Sequence, residues 1–148
     1  MRSENQVFAS IQTAPIDVPS LLSSFGTDAD GAISAFIGKI RNHDPETEDA
    51  RVVAIQYSAH PEAETILERI VSEATMGAPD AANIHVLVIH RIGLVKVGEV
   101  ALLTLVAAPH RRPGISLVGE IVERVKAELP VWKKQVLDDG SEKWSRLP

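Results

Sequence analysis

The stretch "HPEAETILERIVSEAT" (60–75) constrains the fold of this chain more than any other. Ala63, Ile66, Leu67, Ile70, Val71 and Ala74 recur at i, i+3, i+4, i+7, i+8 and i+11, with Pro61 near the start. That spacing predicts an amphipathic helix, and its single apolar stripe has to lie on a larger apolar surface. The neighbouring segments follow strand chemistry and supply one. "RVVAIQYSA" (51–59) precedes the helix, and "IHVLVIHRIG" (84–93) and "GEVALLTLVAA" (98–108) follow it, rich in β-branched residues. "LVKV" and its flanking glycines separate the last two.

The rest of the chain extends the same reading. "QVFASIQ" (6–12) is β-like, and Asp17 is placed to cap a short helix that has Pro19 in its first turn. "GAISAFIGKIR" (31–41) begins apolar on both faces, as a buried strand does. "NHDPETEDA" (42–50) is polar and acidic and reads as an exposed, mobile loop. "PHRRPG" (109–114) opens a second helix over roughly 113–128, stopped before Pro130 because a pre-proline residue avoids the α region. "VWKKQVL", the turn "DDG" and "SEKWS" form a closing hairpin. Strands and helices do not alternate regularly. The expected class is therefore α+β: one domain over 1–148, mixed or antiparallel sheets and two main amphipathic helices.

Composition narrows the function. The 148 residues include no cysteine, which excludes disulfides, thiolate metal sites and cysteine nucleophiles. "MRSENQVFAS" lacks the apolar run of a secretory signal and no stretch has the length of a membrane span, so a cytoplasmic protein is expected. A net charge of −5 argues against broad binding to nucleic acid or anionic membranes. The charge is uneven, however. Residues 1–109 carry 7 Lys/Arg against 14 Asp/Glu, whereas residues 110–148 carry 8 against 6.

Three segments end in cations. On a period of two, Ile33, Ala35, Ile37, Lys39 and Arg41 share one face of the first long strand. His110 and Arg111 precede a helix start, where free N–H groups and the positive dipole end favour an anion. They read equally as a cap and a surface charge. On the second helix, Ile115, Val118, Ile121, Val122 and Val125 form a stripe, with Lys126 on its edge and Arg124 opposite, facing solvent. Lys126 is either a lysine running its methylenes along the core with no further role, or a group emerging into a site. Lys133 and Lys134 must point to opposite faces of a strand, so one of the two is the better candidate for a site. The plainer reading of "WKK" is an edge strand guarded by lysines. His43, His60, His85 and His90 show no metal-ligand spacing and read as structural or surface residues.

The stretches "GAISAFIGKIRNH", "YSAHPEA", "VIHRIGLVKVGE", "APHRR" and "VKAELPVWKKQ", in this order, resemble the large, catalytic subunit of molybdopterin synthase. The resemblance implies a hammerhead-type α+β fold and a homodimer with a small subunit at each end, a heterotetramer. It implies sulfur transfer to cyclic pyranopterin monophosphate from the C-terminal thiocarboxylate of a small ubiquitin-like sulfur-carrier subunit, with no cofactor and no metal. Carried over residue by residue, the catalytic lysines fall on Lys126 and Lys133. The substrate-binding positions fall on Lys39, Ile40, Arg41, His110, Arg111, Lys134 and Gln135. Gln135 departs from the family's usual glutamate. That departure leaves a second reading open, a non-catalytic anion-binding or protein-interaction subunit of the same architecture.

Overall fold

The computed structural model describes residues 6–47 and 50–145. The expectations for residues 1–5, and for positions 48 and 49 of the acidic loop, lie outside the described residues. Among the described residues eight strands and three α-helices follow in the order β1 (Val7–Gln12), α1 (Val18–Ser24), β2 (Ala32–Lys39), β3 (Val52–Ala59), α2 (Ala63–Met76), β4 (His85–Arg91), β5 (Gly93–Lys96), β6 (Val100–Ala108), α3 (Arg111–Glu128), β7 (Val131–Leu137) and β8 (Glu142–Trp144). They build two four-stranded sheets. The first has the order β1-β4-β6-β2, with β1 parallel to β4 and the other pairs antiparallel. The second, β5-β3-β7-β8, is antiparallel throughout. The α+β class with mixed and antiparallel sheets is as expected from the sequence.

Local chemistry accounts for the helices. Asp17 caps α1 by accepting a hydrogen bond from Ser20 N at 3.2 Å, with Pro19 in the first turn. α2 buries Ala63, Leu67, Ile70, Val71 and Ala74 of the predicted stripe, with Ile66 only partly buried against the same core. Leu67, Ile70 and Val71 are fully buried, and each such burial stabilises the fold by roughly 1.5–3 kcal/mol. α3 lies on the same core, where Leu117, Ile121 and Val125 meet Leu102 and Val106 of β6. Gly114 permits this approach, because a Cβ there would stand 3.2 Å from Ser34 Oγ of β2.

Several expectations change. "LVKV" is not a separator: it lies largely in β5, which leaves the first sheet and pairs with β3 in the second. β2 is an edge strand of the first sheet, so its Ile33 and Ile37 face remains open at 46% and 43% exposure. α3 begins at Arg111, two residues early, and Ile115 points outward. Arg124 is not simply solvated: it donates to Glu128 (2.8 Å) and to Glu73 of α2 (2.9 Å), tying the helices together. β7 is an interior strand, because β8 folds back over it, so the reading of its lysines as edge guards fails. The acidic loop is not simply exposed. Pro45–Thr47 form a 3-10 turn, and the buried Thr47 hydroxyl donates to the Asp44 carbonyl at 2.9 Å. Among the described residues no helix is long and apolar enough to cross a membrane.

Candidate functional site

Four elements converge on one cleft, and each arrives for a local reason. Pairing between β2 and β6 slips at Gly38/Lys39, which turns the chain out of the sheet. Ile40 is then held by both backbone groups: its N–H donates to Glu99 O (3.1 Å), and its carbonyl accepts from Gly98 N (2.8 Å). That turn needs a left-handed residue, and Gly98 supplies it at φ +89°. With Ile40 itself buried, Lys39 and Arg41 are presented at the cleft on either side of it. Behind the turn, the buried Arg91 pairs with Glu99 at 3.2 Å and donates from Nε to Thr13 O at 3.1 Å. The "HRIG" and "VGE" segments are thus a brace for the cation-bearing strand end.

α3 contributes Lys126 from its last turn, and β3 and β7 contribute their inward faces. Tyr57 lies opposite Lys133 and Ile55 opposite Gln135 in the antiparallel register. Lys39, Arg41, Asp44, Lys126, Lys133 and Gln135 line a cleft of about 540 Å³. Beside it is a recess of about 40 Å³, walled by Tyr57, His90, Lys126 and Lys133 with Val125, Leu129 and Val131. Tyr57 and the two lysines border both spaces. A separate groove of about 450 Å³ between α2 and β1 has no charged side chain in its lining and does not suit an anion.

Burial sets the electrostatics of the recess. It lowers the Lys126 pKa below the ordinary lysine range, and the neighbouring charge of Lys133 adds to the effect. Both act against the negative helix end, which favours the ammonium form. Burial also pushes His90 down to about 4, against a raising contribution from the Arg91 carbonyl and with the help of Lys126 and Lys133. His90 Nδ1 lies 2.8 Å from Arg91 O, and a carbonyl only accepts, so Nδ1 carries the proton and Nε2 is bare. Tyr57 meets the His90 ring edge-on at 5.2 Å, and burial pushes its phenol up to about 12. The recess therefore holds a neutral imidazole and a neutral phenol beside two lysine side chains. The wider cleft presents Lys39 and Arg41, an arrangement suited to an anion.

Of the positions named from the sequence, Lys39, Ile40, Arg41, Lys126, Lys133 and Gln135 come together. Lys134 does not. The pleat sends it to the other face of β7, where it pairs with Glu142 at 3.1 Å and lies 5.3 Å from the centre of the Trp144 ring. His110 and Arg111 are exposed at the far end of α3, roughly 22 Å along the axis from Lys126 at 1.5 Å per residue. His110 occupies the N-cap position without a side-chain capping bond. Sequence reasoning missed Asp44, Tyr57 and the recess position of His90. The one usable signal was Tyr57, two residues from Ile55 on the inward face of β3. Among the described residues no group of three or more His, Asp or Glu is placed to hold a metal ion.

A two-sheet α+β protein with a cation-lined cleft defines the class. Residues 11–128 match the family model described as MoaE protein, and the chain belongs to that family. It is 34% identical over 117 residues to the molybdopterin synthase catalytic subunit of Bos taurus, covering 78% of this chain and 59% of that one. To the catalytic subunit of Bacillus subtilis it is 33% identical over 138 residues, covering 90% and 82%. The chain thus spans less than two thirds of the mammalian relative's length. The crystal structure of molybdopterin synthase from Staphylococcus aureus superposes with a TM-score of 0.81 at 28% identity, over 94% of this chain and 96% of that one.

Proposed function

We propose that this protein catalyses sulfur transfer from the C-terminal thiocarboxylate of a small ubiquitin-like carrier subunit to cyclic pyranopterin monophosphate, forming the dithiolene of molybdopterin. One observation carries the reading: Lys126 from α3 and Lys133 from β7 border both a recess and a cleft that also presents Lys39 and Arg41. The chemistry requires two anions, a cyclic phosphate and a thiocarboxylate, to be held side by side. Arg41 suits the phosphate, because a guanidinium keeps its charge and binds oxygens in pairs. The carrier's tail enters toward the recess, and Lys126 and Lys133 flank its thiocarboxylate. One lysine donates or polarises during sulfur attack on the pterin, and the other assists breakdown of the acyl-linked intermediate. Burial and the neighbouring Lys133 lower the Lys126 pKa, which makes its ammonium a better proton donor than an ordinary lysine.

The working assembly is a homodimer with one carrier subunit at each end, acting in the cytoplasm. His110 and Arg111 cannot reach the cleft of their own chain, so a second copy would have to present them for phosphate binding. Lys126→Ala nearly abolishes product formation in a purified assay with thiocarboxylated carrier and cyclic pyranopterin monophosphate, while the variant still folds and binds the carrier. Normal turnover by that variant removes Lys126 from the mechanism. If the unaltered chain yields no dithiolene in the same assay, the non-catalytic anion-binding reading takes its place.

A further inference from the structure

One buried imidazole in the wall of the recess is only half satisfied. His90 is 7% exposed, and its Nδ1–H donates to Arg91 O at 2.8 Å. Nε2 is left as an acceptor without a donor. Tyr57 meets the imidazole ring to ring, edge-on at 5.2 Å, so that contact is aromatic. Nor is Nε2 sealed inside the protein. Among the described residues, the side-chain atoms closed off from solvent without a partner are Thr104 Oγ1 and Gln135 Oε1. The opening that remains to Nε2 is the recess, which the ring walls together with Tyr57, Lys126 and Lys133.

The donors facing it are also unpaired. Among the described residues the ion pairs lie elsewhere: Arg69–Glu73, Arg91–Glu99, Arg124 with Glu73 and Glu128, and Lys134–Glu142. Lys39, Arg41, His43, Asp44 and Glu123 line the wider cleft and not the recess. Two ammonium groups therefore approach one acceptor. The charge of Lys126 acts on His90 more strongly than that of Lys133, and Val125 and Leu129 bring the end of α3 against the recess. A volume of about 40 Å³ has room for an ammonium head, similar in size to a water, and not for a ring. A purely structural histidine pairs both nitrogens, because a bare buried acceptor costs stability. Burial and the two cations hold the His90 pKa at about 4, so at neutral pH the ring accepts a hydrogen bond and takes no proton away.

We propose that His90 is the positioning residue for Lys126: its Nε2 accepts a hydrogen bond from the Lys126 ammonium and holds that group, apart from Lys133, where the recess meets the cleft. The proposal rests on the reading of Lys126 as an acid–base group of the sulfur transfer and names what fixes it in place. His90 itself takes part in no covalent step.

The test uses the full-length chain and two substitutions that divide the imidazole. Gln places an amide oxygen where Nε2 stood, whereas Asn keeps a donor in place of Nδ1 and removes the acceptor. Lys126 protonation is read from the pH dependence of its acetylation in competitive labelling with acetic anhydride, located by mass spectrometry. His90→Asn lowers the Lys126 midpoint by roughly one unit, since a hydrogen bond to the ammonium favours the charged form. His90→Gln leaves it near the unaltered value. In single turnover His90→Asn slows dithiolene formation roughly tenfold or more with carrier binding unchanged, and His90→Gln recovers most of the rate. The side-chain ¹⁵N resonance of His90 Nε2 gives a reading that needs no His90 variant: it moves downfield in Lys126→Ala and stays in place in Lys133→Ala. Where both His90 variants fail to fold, that resonance decides. If Asn is tolerated and Gln is not, the ring serves only its bond to Arg91 and the proposal is overturned. It is overturned equally if neither substitution moves the Lys126 midpoint, or if the Nε2 resonance ignores Lys126→Ala. A midpoint that shifts as stated in a chain that makes no dithiolene upholds the positioning and removes the sulfur-transfer reading.

Discussion

Lys133 and Lys134 are adjacent in the chain and carry the same charge, yet the pleat of β7 places them in different environments. Lys133 faces inward, opposite Tyr57 in the strand register, and borders the recess with Lys126. Lys134 faces outward, where Glu142 and the Trp144 ring occupy it. On the inner face, burial depresses the pKa of Lys126 and His90, and neighbouring cations add to the shift. On the outer face an acid and an aromatic ring satisfy the ammonium at the surface. The difference teaches that a cation's use depends on which neighbours compensate it, and that adjacency in sequence says little about this.

The sharpest way to break the comparison is to truncate each lysine in turn. Lys133→Ala reduces single-turnover dithiolene formation by roughly 10²–10⁴-fold, the range for loss of a positioned acid–base group. Lys134→Ala leaves the rate within about threefold, because only a rim ion pair is lost. Equal losses for the two variants would mean that both faces of β7 serve the reaction and that the inner cleft is wrongly bounded.

A second measurement uses pH. His90 has a folded pKa of about 4 against 6.5 when free, so the unfolded chain takes up the proton first. The associated stability is complete above pH 6.5 and is lost as pH falls from there through 4. Over that window the loss amounts to about 3 kcal/mol, at 1.36 kcal/mol per pKa unit. Denaturant unfolding across the window, on the unaltered chain and on His90→Gln, isolates it: the variant shows a shallower pH dependence. The depressed carboxylates Asp44 and Asp139 start from 3.8, below this window, whereas Glu99 and Glu128 start from 4.5 and overlap its acid end in both proteins, so the comparison with the variant cancels them. Parallel curves would place His90 in contact with water rather than in the wall of the recess.

The brace behind the cations offers an intermediate effect. Arg91 is buried and Glu99 is half-open, so breaking their pair strands the arginine and not the acid. Glu99→Gln, which leaves the buried arginine without its partner, costs about 2 kcal/mol of stability by chemical denaturation. Because the Gly98–Glu99 turn holds Ile40, the same change weakens phosphate binding at Arg41 more than it weakens carrier binding. An unchanged phosphate affinity would separate the brace from the site.

Much of this was legible beforehand where the physics is local. The α2 stripe, the Asp17 cap, the stop before Pro130 and the alternation along β7 follow from period and torsion preference within a few residues. The alternation alone divided Lys133 from Lys134. What could not be read depends on partners distant in sequence. Whether β2 or β7 lies at an edge is decided by which strands flank it, and β5 changes sheets at Gly93, where φ is +85°. His90 belongs to the recess only because the end of β4 meets Tyr57 of β3 beside the last turn of α3, and Asp44 meets Gln135 across 91 residues of chain. Neither contact leaves a mark in its own stretch of sequence.

The smallest effect lies on the outer face, and it tests whether that face is as ordinary as its contacts suggest. Lys134 is shared between Glu142 at 3.1 Å and the Trp144 ring at 5.3 Å, and Trp144 is 58% exposed. An exposed ion pair contributes about 0.2–1 kcal/mol, and an exposed cation–π contact adds about 0.5–1. The two share one ammonium and one short strand, so their coupling does not reach the sum. A double-mutant cycle over Lys134→Ala and Trp144→Ala, followed by urea unfolding, gives an interaction of about 0.5 kcal/mol that shrinks in high salt. Catalysis stays within about threefold for every corner of the cycle. A coupling that survives salt and lowers turnover would mean that β8 transmits strain through β7 to Lys133, and the two faces would then work as one unit.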